Sequence, residues 1–97
     1  MGKYLILWEA DESKIPVDPN ERRDGWLLAL EATKQDIKEG LVKDWAAFAG
    51  QPNGYSIAEG TEEDILKITI KYMPFFRFKV IPLASVEQAE AAIKTIA

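Results

Sequence analysis

Residues 61–83, TEEDILKITIKYMPFFRFKVIPL, decide the fold because they lead from a helix start into the clearest strand of the chain. Thr61 can cap a helix, and the three acidic residues after it suit the positive end of the helix dipole. The body of this segment, residues 65–72, fits two structures, because its apolar residues alternate as in a strand and also recur at helical spacing. The cap, the acidic first turn and the stop that Pro74 provides favour a helix.

The strand predicted over residues 75–83 has two unlike faces. Phe76, Phe78 and Val80 point one way, so this face is apolar. The opposite face is less apolar because it carries two cations, and its members are Phe75, Arg77, Lys79 and Ile81. Pro82 falls near the end of the strand, where a missing backbone N–H is tolerated.

Two upstream segments form the first half of the chain. Residues 3–9, KYLILWE, are apolar on both alternating faces, which predicts a central strand covered on both sides. Asp18 and Pro19 then suit the start of a helix, and Gly40 supplies a left-handed stop. The apolar stripe predicted for this helix consists of Trp26, Leu27, Leu30 and Ile37.

A hairpin and a further helix complete the pattern. Residues 41–49 and 55–59 are predicted to be its two strands, because the turn-rich residues 50–54, GQPNG, separate them. Ser85 begins a capping box, which predicts a C-terminal helix.

The order of these elements predicts a single α+β domain over residues 1–97. Strand, helix, strand, strand, helix, strand is the ferredoxin-like βαββαβ arrangement, here with an extra C-terminal helix. It has a four-stranded antiparallel sheet with helices on one face. The other face would be bare and partly apolar, so we expect a homodimer that packs sheet against sheet.

The composition excludes several kinds of site. The chain has no histidine and no cysteine, which excludes disulfides, zinc clusters and Ser-His-Asp triads. We therefore expect no metal and no cofactor. The net charge of −4 gives no support to binding nucleic acid or an anionic membrane. No apolar run is long enough to cross a bilayer and no leader pattern is evident, so the cytoplasm is the expected location.

Three segments carry a resemblance to a known superfamily. Residues 4–8 (YLILW), 54–60 (GYSIAEG) and 78–83 (FKVIPL), with the length and element order, resemble the dimeric α+β barrel superfamily. Within it, the chain is most similar to a group of short bacterial and archaeal proteins of unknown function, and more distantly to muconolactone isomerases and stress-responsive barrel proteins. The resemblance implies a dimer with a cleft between sheet and helices. It implies no single reaction, and the histidines that several of these enzymes use are absent here.

The candidate site residues combine aromatic and charged side chains. Arg77 offers a bidentate anchor for a carboxylate, with solvated or dimer-rim ion pairs to Glu59 or Asp44 as the alternative. Asp44 is disfavoured within a strand, which indicates a site, a bulge or an edge. Large aromatics can line a pocket for a flat ligand or simply form core and interface. The predicted ligand-binding residues are Trp8, Asp44, Trp45, Tyr55, Glu59 and Arg77.

Two functions fit these residues. The first is a dimeric binding or assembly module with a cleft for a small organic acid, in which Trp45 and Tyr55 flank the ligand ring and Arg77 holds its carboxylate. The second is a cofactor-independent isomerase, lyase or oxygenase for an aromatic or lactone-like molecule, using Asp44, Tyr55, Glu59 and Arg77. The missing catalytic residue types favour the first.

Overall fold

The computed structural model describes residues 2–97 and has the ferredoxin-like α+β fold. A short 3-10 turn, Glu12–Lys14, lies in the first loop. The elements are β1 (Gly2–Ala10), α1 (Pro19–Lys38), β2 (Val42–Ala47), β3 (Asn53–Gly60), α2 (Glu62–Ile70), β4 (Phe76–Leu83) and α3 (Val86–Ile93). The predicted fold class and the extra C-terminal helix are confirmed. Within the described range, no helix is both long and apolar enough to cross a membrane.

The four strands form one antiparallel sheet in the order β2-β3-β1-β4. Strand β1 pairs with β3 on one edge and with β4 on the other. It is therefore a central strand, as predicted from its two apolar faces. Leu7, for example, lies opposite Tyr55 on one neighbour and Lys79 on the other. Since directly paired residues point to the same side of a sheet, these registers assign every side chain to a face.

The ambiguous segment is helix α2, and its capping box explains why. The Thr61 side chain accepts a hydrogen bond from the Asp64 backbone N–H at 3.2 Å, and the Asp64 carboxylate accepts one from the Thr61 N–H at 2.9 Å. Ile65 and Ile68 are buried against the sheet, so helical spacing gives this segment its packing face. The prediction of a helix is confirmed.

Helices α1 and α2 cover one face of the sheet, and the core lies between these helices and the sheet. Its buried members are Ile6, Val42, Ala58, Ile65 and Ile68. The opposite face, which we call the open face, carries Leu5, Leu7, Tyr55, Ile57, Ile81 and Leu83, all only half-buried.

Helix α1 packs through a stripe that differs from the predicted one. Trp26 and Leu30 face the sheet as expected, but Leu27 and Ile37 are 53% and 46% exposed. The helix is rotated so that Asp36, not Ile37, lies against the sheet, and this carboxylate is only 1% exposed.

Helix α3 lies apart from the rest of the chain. Its residues are all exposed, including Val86 at 79% and Ile93 at 63%. The molecule is 61 Å long with a radius of gyration of 16.1 Å, whereas a compact domain of this size has a radius of about 12.5 Å.

Candidate functional site

A cavity of about 330 Å³ lies between the sheet and helix α1. All three tryptophans of the chain line it. Trp8 and Trp45 are stacked, with ring centroids 5.4 Å apart and an interplanar angle of 8°. Trp26 approaches the same group through Phe76, whose ring it meets edge-on at 5.8 Å. Aromatic rings therefore supply several flat surfaces of the wall, and such surfaces accommodate a planar apolar molecule.

A bulge in β2 places Trp45 in this wall. Val42 pairs with Ala58, but Asp44 pairs with Ile57, so one extra residue lies between them on β2. Val42 and Trp45 consequently share the helix-covered face, whereas uninterrupted alternation would put Trp45 on the open face. Asp44 lies at this bulge, and β2 is an edge strand of the sheet. A bulge and an edge are two of the three explanations that the sequence suggested for an aspartate within a strand.

Gly54 allows Trp8 to lie flat against the sheet. A Cβ atom at this position would collide with the Ala46 carbonyl oxygen and with the Trp8 ring. Only glycine leaves room for this close approach. The indole N–H of Trp8 is buried and, within residues 2–97, has no hydrogen-bond partner.

The polar corner of the cavity is a cluster around Asp36. This carboxylate accepts hydrogen bonds from the Lys71 ammonium and from the Tyr72 hydroxyl, the latter at 2.9 Å. The Thr33 hydroxyl lies 3.3 Å from the Tyr72 oxygen and 3.0 Å from the Ala29 carbonyl oxygen. Since the Tyr72 proton goes to the carboxylate, Thr33 is the donor in either of its contacts. A buried charge is held here by a cation and a neutral donor.

Tyr72 remains a proton donor over a wide pH range. Burial is the main cause that raises its pKa to about 12, and the neighbouring Asp36 adds to this effect through its hydrogen bond and its charge. The contact with Thr33 acts in the opposite direction. At neutral pH the cluster thus presents a phenol, not a phenolate, to the cavity.

The six sequence-predicted site residues are divided between the two faces of the sheet. Trp8 and Trp45 line the cavity, whereas the other four point to the open face: Asp44, Tyr55, Glu59 and Arg77. Trp45 and Tyr55 therefore cannot flank one ligand ring within a single chain. They are neighbours along the hairpin, but the pleat sends them to opposite sides.

Arg77 and Glu59, two charged candidates on the open face, each pair with a residue outside the candidate set. Arg77 lies 3.6 Å from Glu9 on β1, not beside Glu59 or Asp44, and both partners are more than half exposed. Glu59 lies 3.8 Å from Lys43. Both are exposed ion pairs, which contribute little to stability.

Asp44 and Tyr55 are linked directly. The Tyr55 hydroxyl donates to the Asp44 carboxylate at 2.7 Å, and this hydrogen bond is the main cause that raises the pKa of Tyr55. The pair fixes the ring of Tyr55 on the open face and leaves the Asp44 carboxylate well satisfied.

Sequence reasoning missed the Asp36 cluster. One signal was available: Asp36 stands three residues after Thr33 and seven after Ala29, so it continues the stripe of helix α1 that faces the sheet. A charged residue on such a stripe indicates a buried, partnered group. Its partner Lys71 lies 35 residues away in the chain, beyond the reach of local spacing.

The described residues 2–97 contain no cluster of three or more potential metal ligands. In comparisons with known proteins, neither a family model nor a curated protein sequence matches the chain.

Proposed function

We propose that the protein is a small-molecule binding module whose cavity takes a flat, largely apolar molecule. The observation that carries this proposal is the convergence of all three tryptophans, with Phe76 and Phe78, on one cavity of about 330 Å³. That volume is at the small end of the range for ligand sites and suits one or two fused rings.

The polar corner favours a ligand group that donates a hydrogen bond. Asp36 lines the cavity with a carboxylate, and each carboxylate oxygen can accept more than the single hydrogen bond it receives here. A ligand hydroxyl or N–H is therefore suited to this corner. A ligand carboxylate placed here would be repelled by Asp36, so an organic acid would have to direct its charged end elsewhere.

Naphthol, which has two fused rings and one hydroxyl, is a suitable probe. We expect it to bind in calorimetry and to shift all three indole N–H resonances, because each tryptophan lines the cavity. Ala47→Phe should weaken binding about tenfold, since Ala47 lines the cavity yet is exposed on an edge strand, where a larger side chain is tolerated. Ala49→Phe, in the following loop and outside the cavity wall, is the matched control. Unshifted indole resonances at millimolar naphthol would refute the proposal.

A second candidate is an enzyme, an isomerase, lyase or oxygenase that needs no cofactor. The adjacent Asp36 and Tyr72 favour it, because a carboxylate and a phenol of high pKa can accept and donate protons at one substrate. Incubating the protein with aromatic alcohols and lactones, and following the products by NMR, tests this candidate. Turnover that Tyr72→Phe abolishes while naphthol still binds would support it.

We also propose that the protein is a homodimer joined through the open face. The half-buried apolar residues on β1, β3 and β4 form a continuous surface, and Phe48, 39% exposed, extends it beside Tyr55. Sedimentation should give twice the mass of one chain. Ile57→Glu, at the centre of this face, should give the monomer, and Leu28→Glu, on exposed helix surface, should not. A monomer for the unmodified chain would contradict the proposal.

A further inference from the structure

A second apolar space adjoins the cavity. This groove, of about 290 Å³, lies between helix α1, the loop that precedes it and the segment between α2 and β4. Its walls include Ile15, Pro16, Leu28 and Phe75. Unlike the cavity, it contains several charged side chains.

The charges in the groove are all positive. Lys14, Arg22 and Lys71 line it, and among the described residues that form its walls there is no carboxylate. Three cations in one apolar groove contrast with the net charge of −4 for the whole chain. Charges of one sign that line a groove attract an ion of the opposite sign to it.

Two of these cations have donors to spare. Arg22 uses one guanidinium nitrogen to donate to the Val17 carbonyl oxygen at 3.2 Å, which leaves its remaining N–H groups free to bind an anion. Within residues 2–97, neither Lys14 nor Arg22 forms an ion pair. Lys71 differs, because its ammonium already holds Asp36 in the cavity wall.

The groove and the cavity share a wall. Trp26, Ala29, Tyr72 and Phe76 line both spaces. Three of these four residues are aromatic, and Phe76 meets both Trp26 and Tyr72 edge-on, with the Tyr72 and Phe76 centroids 6.1 Å apart. The two spaces are therefore separated by no more than this one layer of residues.

We infer that cavity and groove together bind an amphipathic carboxylate, with its apolar ring system in the cavity and its carboxylate in the groove between Lys14 and Arg22. The inner half of this arrangement rests on the proposed function; the outer half rests on the charge of the groove. The aromatic cavity matches the apolar end of such a ligand, and the cationic groove matches its carboxylate. The anion is thereby kept away from Asp36, and it lies on the opposite side of the sheet from Arg77.

Calorimetry with naphthylbutanoic acid and its primary amide tests the inference, because the two probes share the ring and chain and differ in charge. We expect the acid to bind about three- to tenfold more tightly than the amide, since each exposed cation adds a modest attraction. This preference should shrink as salt is added. In the double variant Lys14→Gln, Arg22→Gln the acid should bind no better than the amide, while amide affinity stays unchanged.

Arg23→Gln is the matched control, because Arg23 adjoins Arg22 on the same exposed helix but lies outside the groove and pairs with Asp24. It should keep the full preference for the acid. Equal affinity of acid and amide for the unmodified protein, or an unchanged preference in the double variant, overturns the inference and leaves the cavity proposal intact. If neither acid, amide nor naphthol binds, both proposals are wrong.

Discussion

The Asp36–Lys71 pair allows a stability effect to be worked out from the structure. Breaking a buried ion pair by removing one partner costs about 3–5 kcal/mol, because the other charge stays buried without compensation. Asp36 is buried, but 43% of the Lys71 side chain is exposed, so water can partly replace the ammonium in Lys71→Met. We therefore expect a loss of about 2–3 kcal/mol in the free energy of unfolding.

Urea unfolding at neutral pH and constant protein concentration measures this loss. The double variant Asp36→Leu, Lys71→Met removes both charges. Its free energy of unfolding should exceed that of Lys71→Met by about 1 kcal/mol or more, because no unpaired charge remains. Lys34→Met is the control: its partner Glu31 is as exposed as Lys34 itself, and the cost should stay below about 0.5 kcal/mol. Equal losses for Lys71→Met and Lys34→Met would refute this account of the cluster.

Three further outcomes are expected. The pKa of Tyr72 is raised from 10.0 to about 12, so the stability that this group contributes is complete below pH 10.0 and is lost as pH rises towards 12; a phenolate titration that Tyr72→Phe leaves unchanged would contradict this. The pKa of Asp64 is lowered, mainly by the hydrogen bond that its carboxylate accepts from the Thr61 backbone N–H. The stability that ionised Asp64 contributes is therefore complete above pH 3.8 and is lost as the pH falls through the lowered pKa of the folded state. Asp64→Asn should therefore flatten the acid side of the stability profile, and an unaltered profile would count against the cap. Gly54→Ala should cost about 1–3 kcal/mol and disturb the near-ultraviolet circular dichroism of Trp8, whereas Gly25→Ala, with open space around it, should be neutral or stabilising.

Local patterns were sufficient for the fold. Thr61 and Ser85 mark the starts of α2 and α3, because each forms a capping box with the residue three positions later. Residues 3–9 are apolar on both faces, which identifies the central strand. These signals operate within one element, so a sequence displays them directly. The order of the elements then restricts the topology to very few arrangements.

The site depends mainly on relations between elements; the local signal that was available is the position of Asp36 on the same stripe as Ala29 and Thr33. The bulge before Asp44 exchanges the faces of Asp44 and Trp45, and nothing in the spacing of residues 41–49 reveals it. A rotation of helix α1 by one residue replaces Ile37 with Asp36 against the sheet. Both are small displacements that tertiary packing decides, and each one changes which side chains enter the cavity.

The cavity wall is assembled from every strand and from helices α1 and α2, while helix α3 contributes nothing to it. Unfolding of any one of these elements removes part of the cavity wall. A bound molecule therefore stabilises β1–β4, α1 and α2 together against local unfolding. In native-state hydrogen exchange, a saturating ligand should therefore slow exchange of the slowest amides throughout β1–β4, α1 and α2 by a common factor. The amides of α3 should exchange at an unchanged rate, which makes the C-terminal helix an internal reference within the same molecule.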